Sequence, residues 1–127
     1  MELCTVLMAE DEDEWSDFVS LLLPSDQYRV LAVRTAKEAL KLAGETRPDF
    51  AILDLNLPDM FGMDLCRSLR KMPGLDNLPV LALSSLEQNT MTGFETELDG
   101  YVEKPSAPRY LLATVELIRR RFQPPMQ

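Results

Sequence analysis

The sequence predicts an α/β domain with a doubly wound, five-stranded parallel sheet and helices on both of its faces. Three observations lead to this prediction. Short apolar runs alternate with amphipathic segments along the chain, these runs are apolar at consecutive positions rather than at every second one, and 127 residues suit a single domain. Strands that are apolar on both sides need cover on both faces, and right-handed crossovers between parallel strands place helices there.

The apolar runs locate the strands, which we expect at residues 3–9, 28–33, 50–53, 79–83 and 101–102. The first helix is predicted from four apolar residues at helical spacing, and Pro24 ends it. These four residues are Trp15, Phe18, Val19 and Leu22. Thr35 and Glu38 form a capping box that opens the second helix, and Gly44 is expected to end it.

Three further helices are predicted. One is expected at residues 64–71, and another at residues 87–98, where many residues disfavour helix interiors and a short helix is expected. The last helix spans residues 107–122, with Leu111, Leu112, Val115, Ile118 and Phe122 facing inward. The Pro-rich residues 123–127 resemble the start of a linker, so the predicted domain covers residues 1–122.

Composition excludes several kinds of protein. Lys and Arg number 13 against 21 Asp and Glu, and the formal net charge of −8 argues against direct binding to nucleic acid or to anionic membranes. The chain has no histidine, which excludes Ser-His-Asp triads and His-ligated zinc.

Cys4 and Cys66 lie among apolar residues and are expected to be reduced core residues. With no signal peptide or membrane-spanning stretch in the sequence, we expect a cytoplasmic protein.

Polar side chains follow four of the predicted strands. Glu10 and Asp11 follow the first strand, Asp54 the third, Ser84 the fourth and Lys104 the fifth. In a doubly wound sheet, ligands bind beyond the carboxyl ends of the strands. If the first and third strands are neighbours, about 4.8 Å apart, three carboxylates crowd into one pocket and raise one another's pKa. A hard divalent cation such as Mg²⁺ compensates for this, and the long Lys104 side chain reaches the same pocket.

Asp54 has the chemistry of a nucleophile that accepts a phosphoryl group as an acyl phosphate. The cation and Lys104 would stabilise charge on the transferring oxygens, and the Ser84 hydroxyl would hydrogen-bond one of them. A flavin or nucleotide site is disfavoured, because neither GxGxxG nor GxxxxGK[ST] occurs and the first strand is followed by five acids.

Four segments of the chain form a recognisable set. They are VLMAEDE (6–12), DFAILDLNLPDMFGMDLCRSLR (49–70), PVLALSS (79–85) and GYVEKP (100–105). Together they resemble the receiver domain of two-component response regulators. The resemblance implies that Asp54 is the phosphoacceptor. It implies that Glu10, Asp11, Asp54 and the backbone carbonyl of Asn56 ligate Mg²⁺, with Mn²⁺ as a possible substitute. It also implies that Lys104 is the lysine of the K-P motif, and that Ser84 and Tyr101 are the switch residues.

The same resemblance implies a flavodoxin-like fold with strand order 2-1-3-4-5. Its partners would be a histidine kinase or phosphotransfer protein, and an output domain or effector protein. We expect a monomer or weak homodimer that turns over no separate substrate. Phosphorylation would change the partner preference of the face formed by the helix at 87–98, the fifth strand and the last helix.

Other interpretations stay open at this stage. Ser85 and Leu86 depart from the family's usual residues, and the segment between Ser84 and Lys104 is about two residues short. A degenerate receiver that acts only as a docking or dimerisation module would explain these departures.

An aspartyl-phosphate phosphatase is disfavoured, because it needs a second acid where Asn56 stands. The acids expected to be solvated loop residues that cap the first helix are Glu12, Asp13 and Glu14. The acids expected to be turn or cap residues are Asp49, Asp59 and Asp64. Core packing is the alternative role of Tyr101.

Overall fold

The computed structural model describes residues 3–85 and 97–122. Five parallel strands form one sheet in the order β2-β1-β3-β4-β5, which confirms the predicted fold class and strand order. The strands are β1 (Cys4–Ala9), β2 (Tyr28–Val33), β3 (Phe50–Asp54), β4 (Val80–Ser84) and β5 (Gly100–Glu103). The helix predicted at 87–98 falls largely outside the described residues, as does the predicted tail at 123–127.

Within residues 3–85 and 97–122, four helices cover the two faces of the sheet. They are α1 (Asp13–Leu22), α2 (Ala36–Thr46), α3 (Gly62–Arg70) and α4 (Ala107–Phe122), and a 3₁₀ turn (Lys104–Ser106) precedes α4. Alternate residues of β1 point to opposite faces, since Val6 packs in the core with α1 and α4, and Leu7 packs in the core with α2 and α3. Both residues are fully buried, as expected for a sheet covered on both sides.

The predicted start of α2 at the N-cap Thr35 is confirmed, although Glu38 accepts the N–H of Arg34 rather than that of Thr35, and the predicted end of α2 is wrong. Thr35 accepts a hydrogen bond from the Glu38 N–H at 3.1 Å. The helix continues past Gly44 to Thr46, and Arg47 takes the left-handed position beyond it at φ 49°. Gly44 therefore lies inside an exposed helical turn, where its intrinsic disadvantage of about 1 kcal/mol is outweighed by the packing of the whole helix.

Most inward positions predicted for α4 are confirmed. Leu111, Val115 and Ile118 are buried, and Leu112 packs against the same core. Phe122 is an exception, because 42% of it is exposed at the last residue of the helix. It lines an open cleft together with Arg70 and Asp99.

The strand register brings four chain segments to one edge of the sheet. Ala9 pairs with Leu53, Asp54 pairs with Leu83, and Ser84 pairs with Glu103. The residues that follow these strands therefore emerge side by side at the carboxyl edge. Within the described part of the chain, no helix combines the length and the apolar character needed to cross a bilayer.

Candidate functional site

The carboxyl edge of the sheet holds a group of buried polar side chains. Glu10 and Ser84 are inaccessible to solvent, and Asp54 and Lys104 are 4% and 7% exposed. All four were predicted as site residues from their positions at strand ends. Polar groups this deeply buried are uncommon unless they have partners.

Lys104 is the centre of this group. Its Nζ lies 2.8 Å from Oε1 of Glu10, 3.2 Å from Oε1 of Glu12 and 3.4 Å from Oδ2 of Asp54. The lysine begins the 3₁₀ turn after β5, and Pro105 follows it. One ammonium thus links residues from the ends of β1, β3 and β5.

Three consecutive acids gather beside the lysine. Carboxylate oxygens of Glu10, Asp11 and Glu12 all lie within 4.8 Å of one another. The Glu12 N–H donates a hydrogen bond to Oε2 of Glu10 at 3.1 Å, which forms a local turn after β1. Glu12 was expected to be a solvated loop acid, and that expectation is incomplete. It is the residue before α1 and is largely exposed, but its carboxylate also contacts Lys104.

Burial and charge act on these groups in opposite directions. Burial raises the pKa of Glu10 to about 7, although Lys104 lowers that pKa and the nearby Asp54 carboxylate raises it. Burial alone would lower the pKa of Lys104, but contacts with Glu10, Asp54 and Glu12 outweigh burial and raise it. The lysine is therefore held as a cation, and the carboxylates that contact it outnumber it.

Asp54 is held by the loop between β3 and α3. Its Oδ1 accepts a hydrogen bond from the Asn56 N–H at 3.1 Å, which keeps Asn56 next to the carboxylate. Gly62 closes the loop by donating its N–H to the Leu55 carbonyl at 2.8 Å. A Cβ on Gly62 would lie 2.6 Å from the Asp54 carbonyl oxygen and 2.7 Å from Cα of Leu55, so only glycine fits.

The predicted strand at 50–53 and the predicted helix at 64–71 leave Gly62 in the loop between them, with no role of its own. Its role follows from the close approach of α3 to the end of β3, which is a tertiary contact without a local pattern. A glycine between the end of a strand and the start of a helix was the one available signal.

The two predicted switch residues differ in exposure. Ser84 ends β4 and is completely buried, with its Oγ 3.3 Å from the Ser85 carbonyl oxygen. Tyr101 lies on the edge strand β5 and is 36% exposed, so it is not a core residue. It lines an open cleft of about 300 Å³ together with Ser106 and Tyr110.

Trp15 covers one side of the lysine. Its ring centroid lies 5.4 Å from Nζ of Lys104, at cation–π distance, and the ring packs edge-on against Phe18 with centroids 5.6 Å apart. The helical spacing predicted Trp15 on the apolar face of α1. The contact joins α1 to the buried site.

The donor set fits a hard divalent cation. Glu10, Asp11 and Asp54 offer carboxylate oxygens, the ligands that Mg²⁺ prefers, and the Glu12 carboxylate lies beside those of Glu10 and Asp11. Despite its short ion pair with Lys104, Oε1 of Glu10 receives no well-aligned hydrogen bond from residues 3–85 or 97–122. The site can therefore accept further positive charge.

Known proteins share this sequence pattern. The family model for the response regulator receiver domain matches residues 6–116. Regulatory protein VanR of Enterococcus faecium is 34% identical over 120 residues, which are 93% of this chain and 51% of VanR. The phosphate regulon transcriptional regulatory protein PhoB of Rhizobium meliloti is 33% identical over 121 residues, which are 94% of this chain and 53% of PhoB. The chain spans about half the length of these curated relatives.

Solved structures share the fold. The BeF3-activated N-terminal receiver domain of RstA from Klebsiella pneumoniae matches with a TM-score of 0.79 at 27% identity, over 91% of this chain and 98% of that one. Chemotaxis protein CheY4 of Vibrio cholerae matches with a TM-score of 0.83 at 27% identity, over 92% of this chain and 99% of that one. Sequence and architecture agree, and the chain belongs to the receiver domains of two-component response regulators.

Proposed function

We propose that this receiver domain accepts a phosphoryl group on Asp54 from a histidine kinase or phosphotransfer protein, with Mg²⁺ as cofactor, and then changes its preference for a partner. The observation that carries the proposal is the contact of one buried ammonium with two buried carboxylates. Nζ of Lys104 lies 3.4 Å from Asp54 and 2.8 Å from Glu10.

The transfer step uses Asp54 as the nucleophile. A carboxylate oxygen attacks the phosphorus of a phosphorylated histidine, and the phosphorus–nitrogen bond breaks as the phosphorus–oxygen bond forms. The electron pair of the broken bond goes to the imidazole, which takes a proton from solvent. Lys104 is placed to stabilise negative charge on the transferring oxygens, because it already contacts Oδ2 of Asp54.

Receiver domains in general bind Mg²⁺, and this chain carries the acidic cluster suited to it. We propose Glu10, Asp11, Asp54 and the Asn56 carbonyl as its ligands, with Mn²⁺ able to replace it. The cation supplies charge neutralisation between the carboxylates and the incoming phosphoryl group. Glu10 contributes a buried carboxylate whose position is fixed by the Glu12 N–H and by Lys104.

The response to phosphorylation involves Ser84 and Tyr101. Ser84 is buried at the end of the strand next to β3, so its hydroxyl is suited to bind a phosphoryl oxygen. We propose that Ser84 moves toward the phosphoryl group on Asp54. This movement would open space for Tyr101, which is partly exposed on β5, to turn inward. The cleft between β5 and α4 would then change shape and alter the preferred partner.

A further part of the proposal concerns the domain or protein that receives the signal from this receiver domain. One relative, MtrA of Mycolicibacterium smegmatis, is named a DNA-binding response regulator, and this chain spans about half of it. We propose that an output domain or effector protein receives the signal and that this acidic domain, with its net charge of −8, does not itself contact DNA. We further propose that residues 1–122 form the functional unit, that it acts in the cytoplasm as a monomer or weak homodimer, and that it turns over no separate substrate.

The test is phosphorylation by a small-molecule donor. The chain is incubated with acetyl phosphate and Mg²⁺, and its intact mass is measured by mass spectrometry. We expect the mass of one phosphoryl group to be added, and we expect this addition to be lost with EDTA and in Asp54→Asn.

Asp49→Asn is the matched control, since Asp49 lies at the opposite end of the same strand. This variant should still be modified. A wild-type chain that gains no phosphoryl group, or equal modification of Asp54→Asn, would overturn the proposal. The first result would favour the phosphorylation-independent docking module.

A further inference from the structure

We propose that Glu12 is a positioning residue that holds Lys104 before phosphorylation and sets the relative affinities of the site for cation and phosphoryl group. The inference rests on the proposed function. It goes beyond that function because Glu12 is neither a predicted ligand nor a predicted switch residue.

Exposure separates Glu12 from the other carboxylates that contact Lys104. The Glu12 side chain is 59% exposed, whereas those of Glu10 and Asp54 are 0% and 6% exposed. A carboxylate in water can leave its partner without a large desolvation penalty, but a buried one cannot. Of the three contacts, the one to Glu12 is therefore the easiest to give up when a phosphoryl oxygen needs the lysine.

The Glu12 side chain is free for this role. It occupies the position before α1 but makes no side-chain capping hydrogen bond. Its backbone N–H, which a substitution would retain, makes the bond to Glu10. Replacing the carboxylate with an amide should thus leave the local fold intact.

The charge of Glu12 acts in opposite senses on the two ligands. Its carboxylate lies within 4.8 Å of ligand atoms of Glu10 and Asp11, so it attracts a cation bound there. The same charge repels a phosphoryl group and competes with it for Lys104. Neutralising Glu12 should consequently weaken Mg²⁺ binding and strengthen binding of a phosphoryl analogue.

The experiment compares Glu12→Gln with Glu14→Gln. Both variants remove one charge from the same acidic run, but the cluster around Lys104 contains Glu12 and not Glu14. Mg²⁺ is titrated first, and beryllofluoride is titrated at saturating Mg²⁺. Binding is followed by calorimetry and by fluorescence of Trp15, the one tryptophan in the chain, whose ring centroid lies 5.4 Å from Nζ of Lys104.

For Glu12→Gln we expect the Kd for Mg²⁺ to rise about three- to fivefold and the Kd for beryllofluoride to fall by about the same factor, as for a partly exposed charge. Glu14→Gln should change both Kd values much less. A purely structural role of Glu12 would not move the two affinities in opposite directions.

Two outcomes would overturn the inference while leaving the proposed function in place. They are equal behaviour of the two variants, or two Kd values that move in the same direction in Glu12→Gln. If the wild-type chain binds neither Mg²⁺ nor beryllofluoride, the proposed function fails and the role of Glu12 fails with it. Thermal melting followed by circular dichroism checks that both variants fold as the wild type does.

Discussion

The acids at the two ends of the sheet have different hydrogen-bond and ion-pair partners. At the amino end, Asp99 precedes β5, and its Oδ2 lies 2.8 Å from both the Val80 N–H nitrogen and an Arg70 guanidinium nitrogen. Asp49 precedes β3 and accepts the Thr5 N–H at 2.9 Å. At the carboxyl end, by contrast, Lys104 is shared among three carboxylates.

This difference separates acids that stabilise the fold from acids to which we assign a function. A carboxylate that accepts hydrogen bonds from a backbone N–H or a guanidinium satisfies the polar groups at the end of a strand and stabilises the fold. Carboxylates crowded around one ammonium repel one another, and this repulsion favours the binding of a further positive charge. The acids that stabilise the fold and the acids of the proposed phosphorylation site thus lie at opposite ends of the same sheet.

The largest effect is expected at Gly62, which holds the loop at the carboxyl end of β3 in place. In Gly62→Ala the new Cβ would meet the backbone of Asp54 and Leu55 at 2.6 and 2.7 Å, so the loop must move. We expect a loss of about 2–3 kcal/mol in the free energy of unfolding, measured by urea denaturation. Phosphorylation by acetyl phosphate should fall as well, because the Asp54 carbonyl is displaced.

Gly44→Ala is the control for this prediction. Its Cβ would meet only the flexible end of Met72, at 3.4 Å, from an exposed helical position. We expect a gain of about 0.5–1 kcal/mol. Similar losses in both glycine variants would contradict the role assigned to Gly62.

The next effect is expected at the amino end. Asp99→Asn keeps an acceptor for the Val80 N–H but removes the charge that faces Arg70, whose pairing with Asp99 is partly buried. We expect a loss of about 1–2 kcal/mol in the free energy of unfolding by urea denaturation. No loss would mean that this acid is not a structural element.

A smaller effect of opposite sign is expected at the carboxyl end. Asp54→Asn removes one of the carboxylates that crowd Glu10 and Lys104. Without added divalent cation we expect a gain of up to about 1 kcal/mol, from relief of like-charge repulsion. If Asp54→Asn destabilises the chain as much as Asp99→Asn in the same urea assay, the distinction between the two ends is wrong.

The smallest effect concerns Asp59, in the loop after β3. Its carboxylate accepts the N–H groups of Ala36 and Lys37 at the start of α2, at 2.9 and 3.0 Å, which agrees with its predicted capping role. These bonds lower the pKa of Asp59. The stabilisation is present above the pKa of an unfolded aspartate, about 3.9, and is lost as pH falls through the lower folded value.

Asp59→Asn should therefore flatten the decline of the melting temperature below about pH 4. Asp76→Asn, in another exposed loop, serves as the control and should retain the wild-type slope. Melting curves across the acidic range measure both. An unchanged slope in Asp59→Asn would contradict the capping role.

The sheet and its polar edge could be predicted because they follow from local patterns. Runs such as residues 50–53 are apolar on both sides, which indicates a parallel sheet, and the residues after such strands must meet at one edge. Asp54, Ser84 and Lys104 were therefore predicted together without knowledge of any distance.

Other features depend on tertiary contacts that no local pattern contains. The helix α2 ends at Thr46, with Arg47 as its C-cap, rather than at Gly44. This end depends on tertiary packing that keeps a glycine inside the helix. The contact of Glu12 with Lys104 joins residues 92 positions apart. The requirement for Gly62 appears only when α3 is placed against the end of β3.

Calorimetric titration of Mg²⁺ into three chains tests the central claim most directly. We expect the wild type and Asp99→Asn to bind one Mg²⁺ with the same affinity, and Asp54→Asn to bind it at least about tenfold more weakly, because a buried carboxylate beside the cation is lost. Absence of Mg²⁺ binding by the wild type, or equal weakening in Asp99→Asn and Asp54→Asn, would contradict the account.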